Sequence, residues 1–167
     1  LLRLHFSHLL QPIEAWPETV SERHALYACW MQQVLSGEDN QGSGLVEYLG
    51  TCVEPATYRR WLVECLERAT PNLARDAFAQ LSARWPDDRT LLQCAVRWVL
   101  DPTVSYHHHN ACEYLVKRNL LAKDDSGLWS ALRVKKPEVD YLARRLQSLA
   151  RDPDVVVMII DIAEGQS

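Results

Sequence analysis

The sequence predicts an all-α fold made of antiparallel helical hairpins, arranged as a helical-repeat-like bundle or a short solenoid. Two observations support this prediction. Apolar residues recur every three or four positions over most of the chain, which is typical of one face of an α-helix. Prolines, which a helix tolerates only in its first turn, recur at intervals of 15 or 16 residues. These prolines are Pro55, Pro71, Pro86 and Pro102, followed by Pro137 and Pro153.

The bulk composition is that of a folded domain of ordinary size. Of the 167 residues, 47% are apolar, which is enough to bury a core and argues against disorder. We predict one helical domain over 1–167, with 1–52 and 53–167 as an alternative division into sub-units. Because the chain begins at Leu1, we interpret it as a piece of a longer protein whose missing part could carry an activity.

The first third of the chain is predicted to alternate between helix and loop. Residues 1–10 are rich in leucine and are predicted to end a helix. A second helix is predicted over 21–35, a glycine-rich loop over 37–44, and a short helix over 45–52. The predicted apolar face of the second helix consists of Leu26, Cys29, Trp30 and Val34, with Tyr27 and Met31 alongside.

Three helices are predicted most clearly, over 55–69, 71–85 and 88–99. Asp88 is a good residue to cap the third of them, because its side chain can accept hydrogen bonds from free backbone N–H groups. Cys94 and Trp98 lie off the main apolar stripe of that helix, which predicts an inner helix buried on two sides. The predicted core positions are Tyr58, Trp61, Leu62, Cys65 and Leu66, then Leu73, Ala74, Ala77, Phe78, Leu81 and Trp85, then Leu91, Leu92, Ala95, Val96 and Val99.

The pattern is less regular in the last third. A helix is predicted over 106–121, an irregular segment over 123–136 and another helix over 137–150. The β-branched run from Val155 to Ile160 is compatible with a strand. We favour a helix there, because Asp152 with Pro153 is a typical helix start.

The pair of helices between Pro55 and Trp85 resembles a tetratricopeptide hairpin. Ala74, Phe78 and Pro86 match the A-x3-F-x7-P spacing of the second helix in that family. The resemblance implies antiparallel helical hairpins of the tetratricopeptide or HEAT type. Because helical-repeat proteins typically bind other proteins, it also implies a binding function.

His107, His108, His109 and Cys112 form the cluster that most resembles a metal site. A helix would place His108 and Cys112 one turn apart on the same face, where both could be metal ligands. Since the sequence offers no second His/Cys pair with suitable spacing, we interpret the segment as a polar helix start with a core cysteine. Metal binding through His108 and Cys112 is kept as an alternative, and no cofactor is predicted.

Basic residues gather at Arg133, Lys135, Lys136, Arg144 and Arg145. They fall within residues 106–150, a segment that could be a winged-helix-like nucleic-acid-binding domain. A net charge of −4 argues against this alternative, because non-specific nucleic-acid binders usually carry a basic excess. We therefore regard nucleic acid as the less favoured partner.

The function predicted from sequence is protein–protein interaction, as a scaffold, an adaptor or a regulatory part of a larger complex. No nucleophile elbow, phosphate loop or dinucleotide fingerprint is present, so we predict no enzymatic activity in this chain. The five cysteines follow no paired motif, which predicts reduced thiols in an intracellular compartment, cytoplasmic or nuclear. The predicted contact residues for a partner helix or peptide are Trp16, Trp129, Lys135, Lys136 and Arg145.

Overall fold

The computed structural model describes residues 25, 28–29, 31–32, 35, 42–68, 71–101, 107–123 and 138–165. These residues are mostly helical and include no β-strand, so the predicted all-α class is confirmed and a helical bundle fits. The type of helical repeat stays a prediction. The helices with defined bounds are α1 (Gly42–Cys52), α2 (Pro55–Arg68), α3 (Pro71–Arg84), α4 (Arg89–Leu100), α5 (His108–Lys117), α6 (Val139–Leu149) and α7 (Pro153–Glu164).

The chain divides into two compact units, Leu1–Ala83 and Arg84–Ser167, and the prediction of a single domain stays a prediction. In the first unit α1 packs against α2. The hydroxyl of Tyr58, which is fully buried on α2, donates a 2.8 Å hydrogen bond to the carbonyl of Val46 on α1. Because a buried hydroxyl loses its hydration, this hydrogen bond is what allows a tyrosine between the two helices.

Helix α4 is the central element of the second unit, and α5, α6 and α7 all pack against it. Cys94 and Trp98 are buried together with most of the main apolar stripe, so the prediction of an inner helix is confirmed. Leu92 of that stripe was predicted in the core and is only half-buried. A helix can be buried on several sides only if its apolar residues surround it. The buried positions of α4 are Leu91, Cys94, Ala95, Val96, Trp98, Val99 and Leu100.

Two polar contacts join the C-terminal end of α5 to the connection between α3 and α4. The hydroxyl of Tyr114 donates a 2.7 Å hydrogen bond to the carbonyl of Pro86, and Arg118 forms an ion pair with Asp87. Beyond α5, the backbone N–H of Ala122 donates a 2.7 Å hydrogen bond to the carbonyl of Leu149 at the end of α6. The connection between α3 and α4 and the segment that follows α5 are therefore each held by polar contacts to another element of the unit.

Residues 155–160 are helical, and the strand alternative is wrong. Asp152 caps α7 by accepting a 2.9 Å hydrogen bond from the backbone N–H of Asp154, and Pro153 occupies the first turn. This local start signal decides the structure of a β-branched run that propensity alone would leave open. Neither α7 nor any other helix in the described residues is both long and apolar enough to cross a membrane.

Three local predictions are corrected by the structure. The loop predicted over 37–44 is too long, because α1 already begins at Gly42. Cys29 is exposed, whereas Met31 is buried. The predicted place of Cys29 on the apolar face is therefore wrong, while the other predicted residues of that face, Leu26, Trp30 and Val34, lie outside the described residues. Trp85, predicted as a core position of the second clear helix, lies just beyond α3 and is only half-buried.

Candidate functional site

A surface groove of about 490 Å³ lies between α4 and α7 in the second unit. One wall is a stripe of α4 and the other a stripe of α7, each with residues spaced three or four apart as on one helix face. The α4 wall consists of Arg89, Leu92, Gln93 and Arg97. The α7 wall consists of Asp154, Val157, Met158, Asp161 and Ile162.

Helix α7 has more apolar surface than its own neighbours cover. Val155 and Ile159 are buried against the rest of the unit, as one face of an amphipathic helix would be. Val157 lines the groove and is 56% exposed, and Ile160, three residues further along α7, is 37% exposed. A helix at a protein surface normally presents polar residues at such positions. The exposed apolar residues of α7 make this helix the candidate contact surface.

Charged residues mark both ends of each wall of the groove. On α4, Arg89 and Arg97 are eight residues apart, which corresponds to about 12 Å along the helix axis. On α7, Asp154 and Asp161 are seven residues apart, or about 10 Å. All four side chains are exposed, and none of them forms an ion pair within the part of the chain that the structure describes.

This arrangement can bind an apolar side chain and orient the segment that carries it. Leu92 and Met158 are half-buried and, with Val157, provide an apolar surface between the charged ends. Two cations on one wall and two anions on the other would meet opposite charges on a bound segment. Paired charges of this kind contribute more to orientation and selectivity than to affinity.

Of the five partner-binding residues predicted from sequence, the structure describes one, Arg145. Trp16, Trp129, Lys135 and Lys136 are outside the described residues. Arg145 lies on α6, where its side chain is half-buried and its Nε is shielded from solvent. Arg145 does not line the groove, and the surface that the five residues were predicted to form stays a prediction.

The histidine cluster is split between the core and the surface. His107 is buried, and its ring stacks on Trp98 with 4.2 Å between the ring centroids. His109 is exposed, and the side chain of His108 is outside the described part of the structure. In the described residues, no three His, Cys, Asp or Glu side chains are grouped so that they could hold a metal ion.

The predicted core cysteine of this segment, Cys112, is fully buried. Burial raises the pKa of the Cys112 thiol to about 12, and that of Cys65 by the same mechanism to about 12. A thiolate is the form that binds metals and attacks electrophiles. Near neutral pH both side chains therefore behave as small apolar groups.

The segment proposed as an alternative nucleic-acid-binding region contains α5 and α6. Residues 124–137, which include Arg133, Lys135 and Lys136, are outside the described structure. Arg144 is exposed on α6, and its Nε donates a 3.2 Å hydrogen bond to the carbonyl of Asp140 one turn earlier. The two described arginines of the basic cluster are thus partly occupied within their own unit, and the alternative stays untested.

Sequence reasoning missed the groove, although one signal for it was visible. The run from Val155 to Ile160 is apolar at six successive positions, more than a single buried helix face needs. Once this run is helical, some of its apolar side chains must point away from the core. The partner wall could not be identified, because nothing in the sequence shows that α4 and α7 are neighbours.

Comparison with known proteins gives no relative from which a function could be inferred. No protein-family model, no curated protein and no solved structure matches the chain.

Proposed function

We propose that this chain is a protein–protein interaction module, serving as a scaffold, an adaptor or a regulatory part of a larger complex. In this proposal the groove between α4 and α7 receives a helix or a peptide segment of another polypeptide. The observation that carries the proposal is the exposure of the apolar Val157 on the α7 wall of the groove. Helix-in-groove recognition uses apolar anchors of this kind.

The length of the groove matches a short helical segment. Its charged ends are about 10 to 12 Å apart along the helices, which is roughly two turns of a helical partner. Val157 is already partly buried, so covering the exposed 56% of it contributes about 1 kcal/mol. Such a contribution changes affinity about fivefold, so one apolar contact in the groove has a measurable effect.

Other ligand classes fit the groove less well. A nucleic acid would bring its phosphates close to Asp154 and Asp161 as well as to the two arginines, so attraction and repulsion would offset each other. A small-molecule site usually holds a few buried polar groups that converge on the ligand. In this groove the charged side chains are exposed instead. A polypeptide with both charged and apolar side chains matches the groove better.

The proposal can be tested by placing a charge at the centre of the groove. We expect Val157→Glu to abolish the capture of partner proteins from an extract of the native host, because burying a carboxylate against Leu92 and Met158 is unfavourable. Val157 is more than half exposed, so this substitution should leave the fold intact. Capture would be quantified by mass spectrometry, and the fold checked by circular dichroism.

Tyr141 offers a matched control, because it is 50% exposed on α6 and does not line the groove. Tyr141→Glu adds the same charge at another exposed apolar position and should retain every protein that the wild-type chain captures. Capture of the same proteins by Val157→Glu would contradict the proposed groove. If the wild-type chain captures nothing above the level of bare resin, the proposed function fails as well.

We also propose that the protein works in a reducing intracellular compartment, the cytoplasm or the nucleus. Support comes from Cys65, Cys94 and Cys112, which are free thiols buried in the two cores, and from Cys29, a free thiol at the surface. Free thiols of this kind persist where the glutathione system keeps them reduced. Differential alkylation of protein taken from the native host should find Cys29 reduced, and an oxidised Cys29 would count against this compartment.

A further inference from the structure

We propose that the occupant of the groove is a second copy of this chain, with the α4 wall of each copy facing the α7 wall of the other. This inference rests on the proposed function and names the partner for the same groove. Charge complementarity supports this pairing, since the charged residues of one wall are all cations and those of the other are all anions. Two identical surfaces of this kind are complementary to each other in one specific orientation.

The orientation follows from two-fold symmetry. If the symmetry axis runs along the groove, rotation places the α7 wall of one copy over the α4 wall of the other. Because each wall has a charge at both ends, every arginine then meets an aspartate, whichever direction the two helices run. The symmetric pair would contain four such contacts, two from Arg89 and two from Arg97.

The central part of each wall supports the same arrangement. Between the charged ends lie Leu92 on α4 and Val157 with Met158 on α7. In the symmetric pair these residues of the two copies meet at the centre, while the ion pairs lie at the edges. An apolar centre with a polar rim is the usual organisation of a protein–protein interface.

A second copy satisfies the groove more completely than an unrelated helix would. An unrelated helix must supply an acidic flank for Arg89 and Arg97, a basic flank for the aspartates, and an apolar ridge between the flanks. The chain itself already has all three features at matching separations, about 12 Å on α4 and about 10 Å on α7. The four charges, moreover, have no ion-pair partner within the described structure.

Charge reversal of each wall tests this pairing directly. The acidic variant carries Arg89→Glu and Arg97→Glu, and the basic variant carries Asp154→Lys and Asp161→Lys. The mass of the purified 167-residue chain would be measured by sedimentation velocity over a series of concentrations. We expect the wild-type chain to form dimers that weaken as salt is raised, because salt screens exposed ion pairs. Each variant alone should lose the dimer.

The decisive measurement is an equimolar mixture of the two variants. One variant then has only anions around its groove and the other only cations, so the mixture should recover a two-chain species that neither forms alone. A control with Arg60→Glu and Arg144→Glu, two exposed positions outside the groove, changes the same number of charges and should dimerise like wild type. Circular dichroism would confirm that all variants are folded. If the double basic variant is unfolded, the single variant Asp161→Lys takes its place.

The outcomes separate this inference from the proposed function. A wild-type chain that stays monomeric, variants that dimerise normally, or a mixture that does not recover the dimer would each overturn pairing between two copies. If the wild-type chain is monomeric and Val157→Glu still abolishes capture of other proteins, the groove serves a different polypeptide and only the identity of its occupant was wrong. If the wild-type chain is monomeric and Val157→Glu captures the same proteins as wild type, the groove is not a binding site.

Discussion

At the scale of single residues, Asp88 is the clearest example of a side chain that specifies local structure. Its carboxylate accepts hydrogen bonds from the backbone N–H groups of Thr90, at 2.8 Å, and Leu91, at 3.4 Å. These N–H groups belong to the first turn of α4 and have no acceptor within the helix. Because α5, α6 and α7 all pack against α4, weakening its first turn affects the whole second unit.

We expect Asp88→Ala to lower the free energy of unfolding by about 1 kcal/mol, the usual effect of removing a helix cap. Urea denaturation followed by circular dichroism would measure the change. Asp88→Ser is the matched control, since a serine hydroxyl can accept the same hydrogen bonds and should recover most of the loss. An Asp88→Ala protein as stable as wild type would show that water satisfies these N–H groups equally well.

Burial of individual residues was predicted well where they repeat with helical spacing and less well elsewhere. Leu62, Ala77 and Val99 were predicted in the core and are fully buried. His107 was interpreted as part of a polar helix start, yet it is buried against Trp98. Its burial depends on a stacking partner nine residues earlier on another helix. Sequence spacing within one helix contains no information about such a contact.

At the scale of secondary-structure elements, the end of α5 shows how one backbone conformation stops a helix. Asn119 has a φ of 58°, in the left-handed region. The N–H of Leu120 donates a 3.0 Å hydrogen bond to the carbonyl of Leu115, and that of Asn119 a 2.9 Å hydrogen bond to the carbonyl of Val116. This is the Schellman arrangement, which satisfies the last carbonyls of a helix and usually has glycine or asparagine at this position.

The identity of residue 119 should therefore matter for stability. We expect Asn119→Ala to lower the free energy of unfolding by about 1 kcal/mol, because an ordinary side chain is strained in the left-handed region. Asn119→Gly relieves that strain but loses the hydrogen bond that the Asn119 side chain accepts from Arg151, so it should be less destabilising. Thermal unfolding of the three proteins would measure the order, and a glycine variant less stable than the alanine variant would contradict this account.

The helices could be predicted from sequence because each has local signals at its ends. The regular prolines and the caps at Asp88 and Asp152 give starts that agree with the structure. The start of α1 was misplaced, since Gly42 to Gly44 have low helix propensity and were predicted as loop. Helices gain most of their stability from packing of an apolar face, and packing of Val46 and Leu49 extends α1 through the glycines.

At the scale of the whole molecule, the candidate site depends on contacts that the sequence does not reveal. The walls of the groove are separated by more than 50 residues, and they meet only because α7 packs against α4. Net charge was no guide either, since two arginines and two aspartates in the groove cancel. The apolar run of α7 indicated that other residues cover that helix. The position of the charges around it can be found only from the tertiary structure.

The stability of the folded chain should also depend on pH in a direction set by its buried acids. Burial raises the pKa of the Cys65 and Cys112 thiols from 9.0 to about 12. Burial, with a smaller contribution from the Asp88 carboxylate, raises the pKa of Tyr114 from 10.0 to about 12. In the unfolded chain all three groups lose their protons at lower pH than in the folded protein.

Between about pH 9 and pH 12 the unfolded state therefore binds fewer protons than the folded state, and the free energy of unfolding must fall as pH rises. Below that range these groups contribute their full stabilisation, so we expect little change in their contribution between pH 7 and pH 8 and a steep decline above about pH 9.5. Urea denaturation at a series of pH values would measure the slope of the free energy of unfolding against pH.

Tyr114→Phe removes one of the three groups and should make the decline shallower. An equal slope in wild type and variant would show that Tyr114 ionises as readily in the folded protein as in the unfolded chain, which its hydrogen bond to Pro86 in a closed interior argues against.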